Sequence, residues 1–206
     1  DQRDSLVAAR DRIAAYVTYV NTHYTPAQIN ELPKCAGKGL RYVRADDKKV
    51  NIFSWKERTE DWGRPIYHRQ AFAGIVTDSG LISYDLLLYT DGDWFYKDLF
   101  SIKVSETKSV YVATFFAEYR QMADAFEISD QMLKHVPFFV TDKEPDYRQK
   151  ANFAFADYEH TDKWPVMTMN SARTKLYVPN GNPDVTKRYW EYQLEGGKML
   201  LNKATK

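Results

Sequence analysis

Two hydrophobic periods divide the chain. In DSLVAARDRIAAYVTYVNTHY, Leu6, Val7, Ile13, Ala14, Val17 and Val20 recur at three- and four-residue spacing, with Arg10, Asp11 and Arg12 between them. This pattern predicts an amphipathic helix of about five turns, with Asp4 or Ser5 as its N-cap. Thr25–Gln28 (TPAQ) has the form of a capping box with proline at the first helical position. A short second helix ending before Pro33 is therefore expected, so residues 1–33 read as a helical pair.

From Leu40 onward the period falls to two. Strands are predicted over Leu40–Arg44, Lys49–Trp55, Ile66–Val76, Leu81–Tyr89, Trp94–Lys97, Val110–Phe116, Asn152–Tyr158, Lys175–Val178, Arg188–Leu194 and Lys198–Leu201. The joints ADDK, TDSG, TDGD, PNGNP and EGGK carry turn chemistry. In AEYRQMADAFEISDQMLKH a short helix over Gln131–His135 is expected, capped by Ser129 or Asp130, and TDKEPDYRQK reads as a loop. The predicted fold class is α+β, predominantly antiparallel β with an N-terminal helical hairpin; a mainly-β sandwich or open barrel is the alternative. The 206 residues are expected to form a single domain, in which 1–33 pack on a β domain of 40–206.

Composition supports the β-rich reading. Aromatic residues make up 15% of the chain, with 15 Tyr, 11 Phe and 5 Trp, and such side chains suit pleated, half-buried surfaces. The formal net charge is +1 with the two signs interspersed, which does not supply the basic stripe that a nucleic-acid backbone requires. No apolar run reaches the ~18–20 residues of a membrane-spanning helix. The one cysteine, Cys35, makes an intrachain disulfide and a cysteine-only metal cage impossible within this chain. A chain that begins at Asp1 fits the removal of an export signal.

The common catalytic signatures do not occur in the sequence: no phosphate-binding loop, no dinucleotide fingerprint, no nucleophile elbow and no H-E-x-x-H. SETK (Ser105–Lys108) has the S-x-x-K spacing of penicillin-recognising enzymes but no K-T-G strand accompanies it. Asp91, Asp93 and Asp98 in YTDGDWFYKD lack the order of a calcium loop, and Asp-Gly there reads as a hairpin turn. The histidines His23, His68, His135 and His160 are too scattered for a spacing-defined metal set. No cofactor and no metal are expected.

The most informative stretch is SWKERTEDWGRPIYHRQ, residues 54–70. Strand alternation puts Ile66, His68, Gln70 and Phe72 on one face and Tyr67, Arg69, Ala71 and Ala73 on the other, so both faces mix polar and apolar groups. The segment between the two predicted strands, with Glu57, Glu60 and Asp61, reads as a solvated charged loop. Trp55 and Trp62 flank the polar trio His68, Arg69 and Gln70. These five residues are the candidate ligand-binding set, since flat aromatic faces beside planar hydrogen-bonding groups suit a sugar or a peptide. No catalytic residue is assigned. In Tyr189, Trp190 and Tyr192 the alternation instead points to sheet packing, with Trp190, Tyr192 and Leu194 on one face.

Two segments also resemble a known pattern. VNIFSWKERTEDWGRPIYHRQAFAG resembles a strand–loop–strand unit, (F/Y)SW-x-T-x-x-G-G-T-x-x-x-(F/Y)-x-x-x-x-Q-(F/Y), and LYVPNGNPDVTKRYWEYQLEGGKMLL resembles its matching ending, L-x-V-P…Y-x-x-(Y/F)-x-(F/W)-(D/N)-G-K-x-F. Both occur in exported, often lipid-anchored proteins of Gram-negative gut-type bacteria to which no function is attached. Gln70 matches the Q of the pattern, whereas Asp61-Trp62-Gly63-Arg64-Pro65 stands where the pattern has Gly-Gly-Thr. The resemblance implies an exported, β-rich protein of the periplasm or cell surface and supplies no substrate. The function expected is a non-catalytic binding or accessory module of the envelope, with a glycan, a peptide or another envelope protein as partner. A hydrolase whose carboxylates and histidines converge from distant strands is one alternative, and a structural or oligomeric interaction protein is another.

Overall fold

A computed structural model describes residues 12, 15–16, 19–20, 22–24, 28, 40–61, 64–77, 80–85, 94–117, 120–140, 150–154, 166–179 and 189–201. Over 56–61 and 64–70 the description is of the backbone. The described residues are mostly antiparallel β-sheet, in 14 strands and three sheets. This is the mainly-β architecture rather than α+β. Arg12, Ala15, Tyr16, Tyr19, Val20, Thr22, His23 and Gln28 are helical, as the 3.6-residue period predicts, but helix is a small share of the described chain. The joint of the expected helical hairpin lies outside the described residues. The chain divides into two compact units, Asp1–Tyr96 and Lys97–Lys206.

In the first unit β1 (Leu40–Arg44), β2 (Val50–Asp61), β3 (Arg64–Thr77) and β4 (Gly80–Asp85) form one sheet in chain order. The ADDK turn closes β1 onto β2 as predicted. Ala45 N donates to Val50 O at 2.8 Å, Lys49 N donates to Asp47 Oδ1 at 3.0 Å, and Lys48 takes a left-handed φ of 64°. Tyr42, Phe53 and Phe72 then fall in one row across three strands. Asn51, Phe53 and Trp55 are buried on one face; Val50, Ile52 and Ser54 are buried on the other. Ala71, Ala73 and Ile75 continue that second buried face on β3, where small side chains let the packing close. On the helix Val20 is buried, whereas Tyr16 and Tyr19 are more than half exposed.

The second unit has two sheets that share one core. The first places β10 (Lys150–Ala154), β7 (Arg120–Ser129), β6 (Ser109–Ala117) and β5 (Trp94–Lys103) side by side, with β8 (Met132–His135) also on β7. The second runs β11 (Thr168–Met169), β12 (Lys175–Pro179), β13 (Tyr189–Glu195), β14 (Lys198–Leu201) and β9 (Phe139–Val140). Its β14–β9 pair is parallel. Ile102, Val112, Ala123 and Ala125 of the first sheet meet Leu176, Val178, Tyr192 and Met199 of the second in a single apolar cluster. The buried Gln121 accepts a 2.8 Å hydrogen bond from Met167 N, which satisfies a polar group inside that core. The Arg173 guanidinium lies 4.6 Å from the centre of the Phe100 ring and ties the β11–β12 turn to β5.

Three local features differ from the sequence reading. The short helix expected over Gln131–His135 is the strand β8. Asp130 and Gln131 make a tight turn with φ of 52° and 62°, which lays Met132–His135 antiparallel against Phe126–Ser129 with Leu133 buried. β7 occupies a stretch for which no strand was predicted, and it sets Ala123 and Ala125 on the core face of the sheet. The charged segment read as a solvated loop is strand, with β2 and β3 paired as far as Asp61 and Arg64.

Candidate functional site

β2 and β3 pair over twelve rows, from Val50↔Ile75 to Asp61↔Arg64. Among the described residues β1 accompanies β2 as far as Trp55, and β4 accompanies β3 as far as Phe72. The six rows from Lys56↔Arg69 to Asp61↔Arg64 lie beyond both, and among the described residues β2 and β3 alone make them. At ~3.4 Å per residue this ribbon is about 20 Å long. Residues 62 and 63 separate its strands.

The register fixes which candidate residues share a face. Gln70 stands opposite Trp55 and His68 opposite Glu57, and these two neighbouring rows are two residues apart, so Trp55, Gln70, Glu57 and His68 occupy one face. Arg69 stands opposite Lys56 on the other face. The five-residue set is thus divided: Trp55, His68 and Gln70 come together on one side, Arg69 lies on the reverse, and Trp62 lies outside the described residues. Trp55 is only 8% exposed, and its indole stacks on Phe72 with ring centres 5.5 Å apart and planes 7° from parallel. That geometry commits the indole to packing within the sheet's aromatic row, beside the Tyr42–Phe53 contact at 4.7 Å.

Comparison with known proteins finds no matching family model, no similar curated protein and no similar solved structure.

Glu57 and Asp61 share a face but stand four residues apart on one strand, about 14 Å along the backbone. Glycosidase carboxylates face each other at roughly 5–9.5 Å across a cleft, a separation this strand pair does not supply. Ser105–Lys108 is the turn between β5 and β6. Lys108 N donates to Ser105 Oγ at 3.1 Å and Val104 N donates to Lys108 O at 3.0 Å, while the Lys108 ammonium pairs with Glu127. The serine hydroxyl thus orders a hairpin, which explains the S-x-x-K spacing without acyl transfer. Asp98 accepts a 3.3 Å hydrogen bond from Thr114 Oγ1. Asp91, Asp93, Cys35 and His160 lie outside the described residues. His23 stacks on Tyr19 at 4.1 Å, and among the described residues no group of three or more metal-binding side chains occurs.

Sequence reasoning overlooked one feature of the ribbon. Lys56, Arg58 and Arg69 occupy the same face, in the rows Lys56↔Arg69 and Arg58↔Tyr67. The i, i+2 spacing of Lys56 and Arg58 was the available signal, and it means nothing until the segment is known to be a strand.

Proposed function

We propose that the chain is a non-catalytic binding or accessory module exported to the bacterial envelope. It recognises a glycan, a peptide or an envelope protein along the β2–β3 ribbon. The observation that carries the binding half of this reading is the continuation of β2–β3 pairing, among the described residues, for six rows past β1 and β4, with polar positions on both faces. A strand pair with planar polar residues at successive positions has the chemistry that peptide and sugar recognition use. The export half rests on the resemblance of the residue 50–74 and 176–201 segments to exported envelope proteins.

The test is hydrogen–deuterium exchange of the whole chain with neutral oligosaccharides, cell-wall fragments and synthetic peptides in turn. One of these is expected to slow exchange of amides within 56–70 and leave the ligand chemically intact. Unchanged exchange with every ligand, or cleavage of a ligand seen by mass spectrometry, overturns the reading.

A further inference from the structure

The sheet of β11, β12, β13, β14 and β9 turns one face to the core and a different chemistry to the other. Leu176, Val178 and Tyr192 belong to the apolar cluster, so Lys175, Tyr177, Tyr189 and Glu191 lie on the reverse face. Tyr177 stands directly opposite Glu191, and Tyr189 is two residues before it on β13. The two phenol rings meet edge to face, with centres 6.4 Å apart and planes at 82°. Lys175 Nζ lies 2.8 Å from Glu191 Oε1. Glu191 keeps 10% of its side chain in solvent and Lys175 keeps 36%, while Tyr177 and Tyr189 are half-buried. Drawing a carboxylate so far out of water is unfavourable, and a surface ion pair offsets little of that cost. An apolar row would pack as well, so packing does not call for this arrangement.

We propose that this face binds a neutral sugar, with a pyranose ring against Tyr177 and Tyr189 and two adjacent hydroxyls on the Lys175–Glu191 pair. The pair sums to no net charge, so an anion would meet Glu191 and a cation would meet Lys175. What it presents is a strong donor beside a strong acceptor, one hydrogen-bond length apart. Adjacent sugar hydroxyls are spaced alike, and each can both donate and accept. A backbone amide fits less well, because its N–H and C=O point in opposite directions. The hydrogen bond to Glu191 raises the Lys175 pKa, so the ammonium keeps its protons throughout the neutral range. The flat C–H side of a pyranose finds its apolar counterpart in the tyrosine rings beside the pair. This site lies wholly within the Lys97–Lys206 unit and does not depend on the β2–β3 ribbon.

The test is hydrogen–deuterium exchange of the whole chain with neutral oligosaccharides of glucose, mannose, galactose and xylose, each beside its fully O-methylated form. One sugar is expected to slow exchange of amides within 175–177 and 189–193, and its O-methylated form to leave them unchanged. In calorimetric titration of that sugar, Glu191→Gln and Tyr177→Ala are each expected to weaken binding about tenfold. Tyr177→Phe, which keeps the ring, is expected to retain it. Glu191→Gln is also expected to leave the melting temperature nearly unchanged, because a surface ion pair adds little to stability. A lowered melting temperature with undiminished sugar binding assigns the pair to stability and overturns the proposal. Protection of these amides by no sugar overturns it as well. A sugar that protects 56–70 alone overturns this site and keeps the ribbon reading. Protection within 175–177 and 189–193, with 56–70 unmoved by every ligand, supports this site and overturns the ribbon. Protection of neither segment overturns both.

Discussion

Over Val50–Trp55 and Ala71–Ile75 the β2–β3 pair runs between neighbouring strands and is buried on both faces. Over Lys56–Asp61 and Arg64–Arg69 the same pair continues past β1 and β4 in unbroken register. The backbone pairing does not change at Trp55; the side-chain chemistry does, from VNIFSW to KERTED within a single strand. Among the described residues the outer half is a two-stranded ribbon, which is marginal by itself and so depends on the inner half for its geometry. The inner half is free to optimise packing and the outer half is free to carry charge.

That division can be broken by mutation. The largest effect is expected for Trp55→Ala at the boundary, because the indole is buried and stacked on Phe72. Loss of a buried tryptophan costs about 3–5 kcal/mol, measurable by urea denaturation. Unchanged stability with lost ligand protection in 56–70 would move Trp55 into the binding half. Ser54→Ala has the opposite sign. The Ser54 hydroxyl is buried with no hydrogen-bond partner among the described residues, on the face that Val50, Ile52, Ala71 and Ala73 also line. Its removal is expected to stabilise the chain by about 1 kcal/mol, and a loss of stability would show that the hydroxyl is engaged.

The smallest effect concerns pH. Burial pushes the Tyr42 phenol up to about 12 from its ordinary 10.0, against the lowering influence of the Arg44 charge. The folded chain therefore keeps this proton where the unfolded chain has lost it. Stability from this group is fully present below pH 10.0 and falls as pH rises toward about 12. Tyr192, raised to about 12 by burial alone, contributes in the same window. Tyr42→Phe is expected to change little at neutral pH and to flatten the alkaline loss, whereas an identical pH profile for variant and wild type would count against the buried phenol.

Strands that obey alternation and end in turn residues were legible in the sequence, as at Leu40–Arg44, at Lys198–Leu201 and at Lys175–Val178, which the structure extends to Pro179. The Gly196-Gly197 turn is the clearest case, since both residues take positive φ, 57° and 75°. β7 was not legible. AEYRQMADAFEI is rich in helix-favouring alanine and glutamate, and only the facing sheet makes Ala123 and Ala125 useful as thin core residues. Charge concealed the outer half of β2 in the same way, because KERTED has no apolar alternation and its strand character comes from pairing with β3. The candidate residues were named from one strand, yet their division between two faces depends on which row each occupies. The Lys56↔Arg69 row required both strands to be placed.

The order of the second sheet in the Lys97–Lys206 unit bears on how that unit assembles. β14 is the last of its five strands in the chain, yet it lies inside the sheet between β13 and β9. Met199 pairs with Phe139, sixty positions earlier, so β9 has no place in this sheet until β14 has been made. Pairings of such long sequence separation close slowly, and until then the edges of β13 and β9 stay open to other chains. A protease cut before Lys198 would therefore remove an inner strand and not a tail. During synthesis the unit's second sheet can be finished only after nearly every one of its residues has appeared.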